Sequence, residues 1–232
     1  MRNLCLSGGF AHPFDDTSAA LADLLTEVGI DTEITEDLET GIARSVAGEF
    51  EMVTLNLLRW RMLADRFAPH RQALAYQLPA VTRAQLTEFV RRGGRLLAMH
   101  AASICFDDWE QWWELLGARW NWERSGHPPL GRMQVRITAP HHPLVAGVGD
   151  FEVVDEAYGF LDEQPDLEPL LTSAHGGRDH PLLWVRPFGA GRVAYDALGH
   201  DLQSYDSPQH REILRRTAAW LTEPTVPEEG RR

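Results

Sequence analysis

The chain contains no lysine: all 22 of its basic residues are arginine. Schiff-base catalysis, pyridoxal phosphate attachment and the phosphate-loop motif all depend on a lysine amine, and a guanidinium that never sheds its proton does not replace it. Those enzyme classes are excluded. Cysteine is also scarce, with only Cys5 and Cys105, and neither belongs to a Cys-x-x-Cys pair. A disulfide framework and a thiolate zinc knuckle are therefore not expected. Positive charge is in deficit, since 22 basic against 34 acidic residues leave a formal net charge of −12. Binding to phosphate-rich surfaces needs a basic face, so neither nucleic acid nor an anionic membrane is expected as a partner. No apolar run approaches the roughly 20 residues that cross a bilayer. The apolar stretch from Asn3 to Ser7 is too short for a signal peptide and reads as a first strand, with cytoplasmic residence as the default.

What is present is the composition of a globular chain, 44% hydrophobic and 24% charged over 232 residues. We expect one domain over residues 1–222, without repeat or linker, and a disordered Pro- and Glu-rich tail over 223–232. Strand and helix patterns alternate. Asn3–Ser7, Asp31–Thr35 and Phe50–Leu58 read as strands, with Asp15, Asp16 and Thr17 offering cap oxygens for a helix carrying Leu21, Leu24, Leu25 and Val28. Thr82 and Gln85 form a capping-box pattern for a helix that stops at Gly93-Gly94. The buried strand Arg95–Met99 then delivers the chain to His100, and a helix follows from Asp107. Met133–Thr138, Phe151–Val154, Leu182–Val185 and Arg192–Leu198 read as further strands, and Ser207-Pro208 opens a last helix. Such alternation implies an α/β fold with a mostly parallel sheet between two helical layers, and ligands then bind beyond the carboxyl ends of its strands.

That rule selects among the ten histidines. His12, His100 and His200 each follow a strand end, where imidazoles suit proton transfer or metal ligation. His127, in the loop Ser125–Pro129, is placed to fold over the same rim. Glu156 and Tyr158, with Asp155, end the Phe151–Val154 strand and supply groups for binding sugar hydroxyls, ligating a metal or acting as acid and base. His141-His142-Pro143 reads as a turn, His175 and His180 as exposed, and His70 and His210 carry no signal. Trp109, Trp112 and Trp113 have the spacing of a core helix face, whereas Trp120 and Trp122 alternate in an extended segment and are candidates to face a ligand. Gly8-Gly9 lacks the rest of a phosphate-binding fingerprint.

Several of these segments together resemble one family. Gly93-Gly94-Arg95-Leu96-Leu97-Ala98-Met99-His100-Ala101-Ala102-Ser103, Phe106-Asp107-Asp108-Trp109, Glu114-Leu115-Leu116-Gly117, His127-Pro128 and His142-Pro143-Leu144 are similar to the ThuA-like (trehalose utilisation) family. Asp155-Glu156-Ala157-Tyr158, Pro181-Leu182-Leu183-Trp184, Gly189-Ala190-Gly191-Arg192-Val193 and Ala197-Leu198-Gly199-His200 continue the match, in order, from about residue 3 to about residue 221. The resemblance implies a flavodoxin-like three-layer α/β/α sandwich of the class I glutamine amidotransferase-like superfamily. In that superfamily a cysteine nucleophile sits on a strand-to-helix elbow, with a histidine base after a late strand. Here His100 stands at the elbow and His200 near the base position, so thioester chemistry is disfavoured, and Cys105 lies five residues beyond.

The resemblance implies use of a small-molecule carbohydrate: acid–base chemistry on an oxidised, 3-keto glycoside, with His100, His200 and Glu156 as catalytic groups. His12, His127, Tyr158 and Trp122 would bind substrate. No cofactor is demanded, but a divalent metal such as zinc, held by His100 and His200, would assist the chemistry. The alternatives are a non-catalytic sugar-binding or oligomerisation module and, last, a Cys105-dependent amidotransferase. Assembly as a homo-oligomer stays open.

Overall fold

The computed structural model describes residues 1–223; residues 224–232, most of the tail expected to be disordered, lie outside the described residues. In chain order the strands are β1 (Arg2–Gly9), β2 (Asp31–Thr35), β3 (Met52–Leu58), β4 (Arg95–Met99), β5 (Ala118–Arg119), β6 (Gly131–Ile137), β7 (Phe151–Asp155), β8 (Asp162–Glu163), β9 (Leu171–His175), β10 (Arg178–Phe188) and β11 (Gly191–Asp196). The helices are α1 (Phe14–Thr26), α2 (Leu38–Val46), α3 (Ala68–Leu74), α4 (Ala80–Arg91), α5 (Glu110–Leu116), α6 (Leu202–Tyr205) and α7 (Pro208–Thr222).

Nine strands form one sheet in the order β2-β1-β3-β4-β11-β10-β9-β6-β7. The first five run parallel; the remaining pairings are antiparallel, so seven of the nine strands point the same way. This is the expected flavodoxin-like α/β class with an antiparallel extension grafted on. β3 and β4 are buried along their whole length because helices cover both faces, which explains their unbroken apolar runs. Alternate residues of these strands feed two cores. Met52, Leu97, Met99 and Ala194 pack with Leu21, Leu25 and Leu214 of α1 and α7, whereas Val53, Leu55, Leu96 and Val193 pack with Ile42, Leu86 and Trp112 of α2, α4 and α5.

Helix starts differ from the pattern reading for identifiable reasons. Pro13, not an aspartate, holds the N-cap position of α1, and Asp15 and Asp16 lie in its first turn, where their charge still complements the helix dipole. Pro79 precedes α4 with an extended backbone, so Thr82 is buried inside the helix and the Thr82–Gln85 capping box does not form. α5 begins at Glu110 rather than Asp107, because Asp107 and Asp108 are committed to Arg61 and Arg83. The cap on α7 is as read: the Ser207 side chain accepts from the His210 N–H, with Pro208 at the first helical position. At the end of β1, Gly9 has φ +133°, and a Cβ added there would lie only 2.2 Å from the Leu58 carbonyl oxygen. Gly9→Ala should therefore lower the unfolding free energy by roughly 1–3 kcal/mol, read from urea denaturation followed by tryptophan fluorescence.

Candidate functional site

The strand β4 ends in a strained elbow. His100 has φ +38°, in the left-handed region where a residue with a side chain pays roughly 1–3 kcal/mol. A 3-10 turn over His100–Ser103 follows at once. Neighbouring groups over-determine this conformation. The His100 Nδ1–H donates to the Ala197 carbonyl at 2.7 Å, and the His100 carbonyl accepts from the Tyr195 hydroxyl at 2.7 Å. That hydroxyl also lies 2.9 Å from Ser103 Oγ. A carbonyl can only accept, so Nδ1 carries the proton and Nε2 is left to face the cleft.

The second arm comes from β11 and β7. Although β7 lies at the far edge of the sheet, the antiparallel extension curls back and brings Asp155 beside the residues that follow β11. Its buried carboxylate accepts from the backbone N–H of Gly199 at 2.7 Å, His200 at 3.3 Å and Glu156 at 2.7 Å. One side chain thus orients both Glu156 and His200. Asp196, at the end of β11, accepts from the Leu198 N–H at 3.0 Å and meets His210 Nε2 at 3.1 Å. His210 Nδ1 faces the Ser204 carbonyl at 3.0 Å, so both ring nitrogens of this fully buried imidazole address acceptors. Burial opposes its charge, but Asp196 prevails and holds its pKa above the ordinary imidazole value. Sequence reasoning passed over His210, because nothing in its local spacing marks the carboxylate fourteen residues away.

His12 closes the ring. Its Nδ1–H donates to the Phe10 carbonyl at 2.9 Å, which frees Nε2. Burial, reinforced by the neighbouring His100, lowers its pKa to about 3, so this imidazole is neutral. One donor atom each from His12, His100, Glu156 and His200 lie within 4.8 Å of one another. Glu156 Oε2 stands 3.6 Å from His100 Nε2 and 3.2 Å from His200 Nδ1. Neither contact is aligned as a hydrogen bond: His12 Nε2, His100 Nε2 and His200 Nδ1 are all buried without one. Burial would raise the Glu156 pKa, yet the adjacent imidazoles pull it far below the usual carboxylate range. Burial likewise opposes a charged His200, and Glu156 reverses the effect, raising its pKa.

The other expected residues are distributed around this cluster. The Tyr158 ring packs on His100 at 4.2 Å between centroids, and burial drives its phenol pKa well up. His127 is half-exposed at the mouth, with Nδ1 3.6 Å from Glu156 Oε1; its loop is pinned by paired backbone hydrogen bonds between Gly126 and Gly159. Trp122 is not beside the histidines but farther along an aromatic row. Trp109 and Trp112 are core residues, as their spacing indicates, while Trp113 is half-exposed and donates to the Asp162 carbonyl. Cys105 is buried, its thiol contacts the Leu57 carbonyl at 3.2 Å, and burial pushes its pKa up to about 12. A thiol so held is a poor nucleophile. His180, expected to be exposed, is fully buried, and Gly159 makes the space: a Cβ there would come within 2.9 Å of the His180 ring. His175 is half-buried beside it, with ring centroids 4.0 Å apart.

A sheet whose carboxyl edge gathers three imidazoles and a carboxylate defines an α/β protein with a polar site in the elbow position. The chain belongs to the ThuA family, described as trehalose utilisation, whose model matches residues 2–221. No curated protein is similar enough to match it. Among solved structures it is similar to a ThuA-like protein from Parabacteroides merdae, at 17% identity and a TM-score of 0.76 over 99% of this chain and 92% of that one. A ThuA-like protein from Bacteroides uniformis follows, at 15% identity and a TM-score of 0.69 over 95% and 91% of the two chains. A β-galactosidase from Rahnella sp. R3 shares the fold in part of its length, at 16% identity and a TM-score of 0.61 over 96% of this chain and 31% of that one. Among the described residues no helix is long and apolar enough to cross a membrane.

The His210–Asp196 pair yields a pH test. Its folded-state pKa is raised, so its stabilisation is complete below the unfolded value of about 6.5 and is lost as pH rises through the folded value. His210→Gln should destabilise the chain by roughly 3–5 kcal/mol at pH 6, and the gap from wild type should narrow at pH 9 in parallel urea titrations.

Proposed function

We propose that the chain is a carbohydrate-processing enzyme whose His12, His100, His200 and Glu156 side chains hold a divalent metal of the zinc type. The observation that carries this reading is the grouping of three buried imidazole nitrogens without hydrogen-bond partners, from His12, His100 and His200, around one carboxylate. Burying a polar atom unpaired is costly, and three such atoms in one place are accounted for if they share a ligand. His12 and His100 have the tautomer that metal ligation needs, each fixed by an Nδ1–H bond to a backbone carbonyl. The donor atoms lie within 4.8 Å of one another, whereas ligands at about 2.0–2.1 Å around a tetrahedral ion stand roughly 3.3–3.5 Å apart, so a bound metal would draw these side chains inward. Imidazole and carboxylate ligands without thiolate suit zinc or a neighbouring first-row ion.

Family membership supports a role in sugar utilisation. The chemistry we infer acts on an oxidised, 3-keto glycoside. When bound, the metal supplies a Lewis acid that polarises the ketone. A ketone acidifies the adjacent C–H, and His127 is the exposed base at the mouth of the cluster. Its Nδ1–H donates to the Pro128 carbonyl at 2.9 Å, leaving Nε2 to accept that proton. The electron pair of the broken C–H bond moves onto the carbonyl oxygen; its return either expels an oxygen substituent one carbon farther or reprotonates the sugar elsewhere. Tyr158 walls the cleft beside His100 and excludes water from it.

Metal titration by calorimetry after chelation tests the site. Wild type should bind one equivalent of zinc or manganese, and His12→Ala, His100→Ala or Glu156→Gln should each weaken binding at least about tenfold. With metal restored, His127→Ala should slow turnover of 3-keto-trehalose by about 10²–10⁴-fold, followed by NMR. Binding of that sugar by metal-loaded wild type with no turnover at all would make the chain a sugar-binding module instead.

A further inference from the structure

Trp122 is 39% exposed, and it is one wall of a cavity of about 450 Å³ that the chemistry above does not use. Trp60 and Phe67 form further walls, Leu63 the rim, and Arg61 and Asp107 the polar side. The volume lies in the range of small-molecule sites, which combine apolar walls with a few fixed polar groups. Here the rings are held rigidly. Trp122 stacks on the buried Trp60 at 5.9 Å with an interplanar angle of 23°, and Phe67 meets both edge-on at 5.1 and 6.0 Å. A platform already ordered loses little side-chain entropy when a ligand arrives.

The polar side is equally fixed. Arg61 donates to Asp107 Oδ1 through both its backbone N–H, at 3.1 Å, and Nε, at 3.2 Å. Arg61 Nη1 and Asp107 Oδ2 take no part in these bonds, so a donor and an acceptor stand side by side next to aromatic faces. That combination matches a pyranose, which has one face of polarised C–H bonds for a π surface and a rim of hydroxyls that both donate and accept. A purely apolar ligand would leave the Arg61–Asp107 pair desolvated without recompense. A row of ring contacts leads from the proposed catalytic cluster to the wall of this cavity. Ring centroids run from His100 to Tyr158 at 4.2 Å, Tyr158 to Trp120 at 5.1 Å and Trp120 to Trp122 at 6.2 Å.

We propose that the cavity lined by Trp122, Trp60 and Phe67 is a sugar subsite that seats the second pyranose ring of a disaccharide whose first ring is at the histidine cluster. The assignment rests on the carbohydrate reading above and adds a length requirement to it: two rings, not one. Single Trp, Phe and Arg–Asp positions then act on affinity for the disaccharide alone.

The test is calorimetric titration of metal-loaded protein with trehalose and with methyl α-D-glucopyranoside. Wild type should bind trehalose at least about tenfold more tightly than the single-ring glucoside. Trp122→Ala should abolish that advantage with glucoside affinity unchanged, and Trp122→Phe should restore most of it because the ring face is kept. Phe67→Ala gives a second, independent reading of the same loss. Trehalose binding that is insensitive to all three variants overturns the subsite while leaving the carbohydrate reading intact. If instead Trp122→Ala converts a dimer to a monomer in sedimentation and leaves sugar binding alone, the face belongs to a second copy of the chain and the subsite is overturned. Wild type that binds neither sugar overturns the subsite, and if it does not bind 3-keto-trehalose either, the carbohydrate reading goes with it.

Discussion

The carboxylate of Asp155 is the joint on which the site depends. The parallel half of the sheet supplies His12, His100 and His200, and the antiparallel extension supplies Glu156 and Tyr158. Nothing in β-sheet hydrogen bonding ties the far edge, β7, to the loop after β11. Asp155 does so by accepting three backbone N–H groups, from Glu156, Gly199 and His200. Bonds from charged acceptors are worth roughly twice neutral ones. With them the two halves of the cluster are in register; without them they belong to different parts of the molecule.

A second tier of buried polar groups works in the same direction. Asp196 and His210 stiffen the segment that leads to His200, and Tyr195 and Ala197 hold His100 in an unfavourable backbone conformation. All are buried. In such surroundings a polar group is either paired or costly, so the paired ones make a rigid frame and the unpaired ones stand out. Three of the unpaired atoms, His12 Nε2, His100 Nε2 and His200 Nδ1, sit together where the frame converges.

Much of this was legible in the sequence, for particular reasons. β4 and the histidine after it could be read because, in an α/β chain, an apolar run that stops at a polar residue marks a buried strand reaching its carboxyl end. His12 and His200 followed from the same rule, and Glu156 from its place after the Phe151–Val154 strand. β2 had the bounds expected. The antiparallel order of the extension was not legible: β9 is short and only partly apolar, and strand order is set by long-range pairing that no local pattern encodes. The cap positions of α1 and α4 were misread because a proline just ahead of each helix outranks a side-chain cap a few residues on. His210 and the buried His180 escaped notice since a histidine's neighbours in space, Asp196 for one and Phe160 for the other, leave no trace in its neighbours in sequence.

The order of the sheet also bears on how the chain comes off the ribosome. β11 lies at the middle of the nine strands yet is the last strand among the described residues. Until it is synthesised, β4 presents an open, fully buried-type edge, and β10 has only one of its two partners. A nascent chain that stops before residue 191 is therefore two sticky fragments rather than a partial domain. Completion is close to all-or-none: the strand that closes the sheet also brings Ala197 to brace His100 and sets His200 in place.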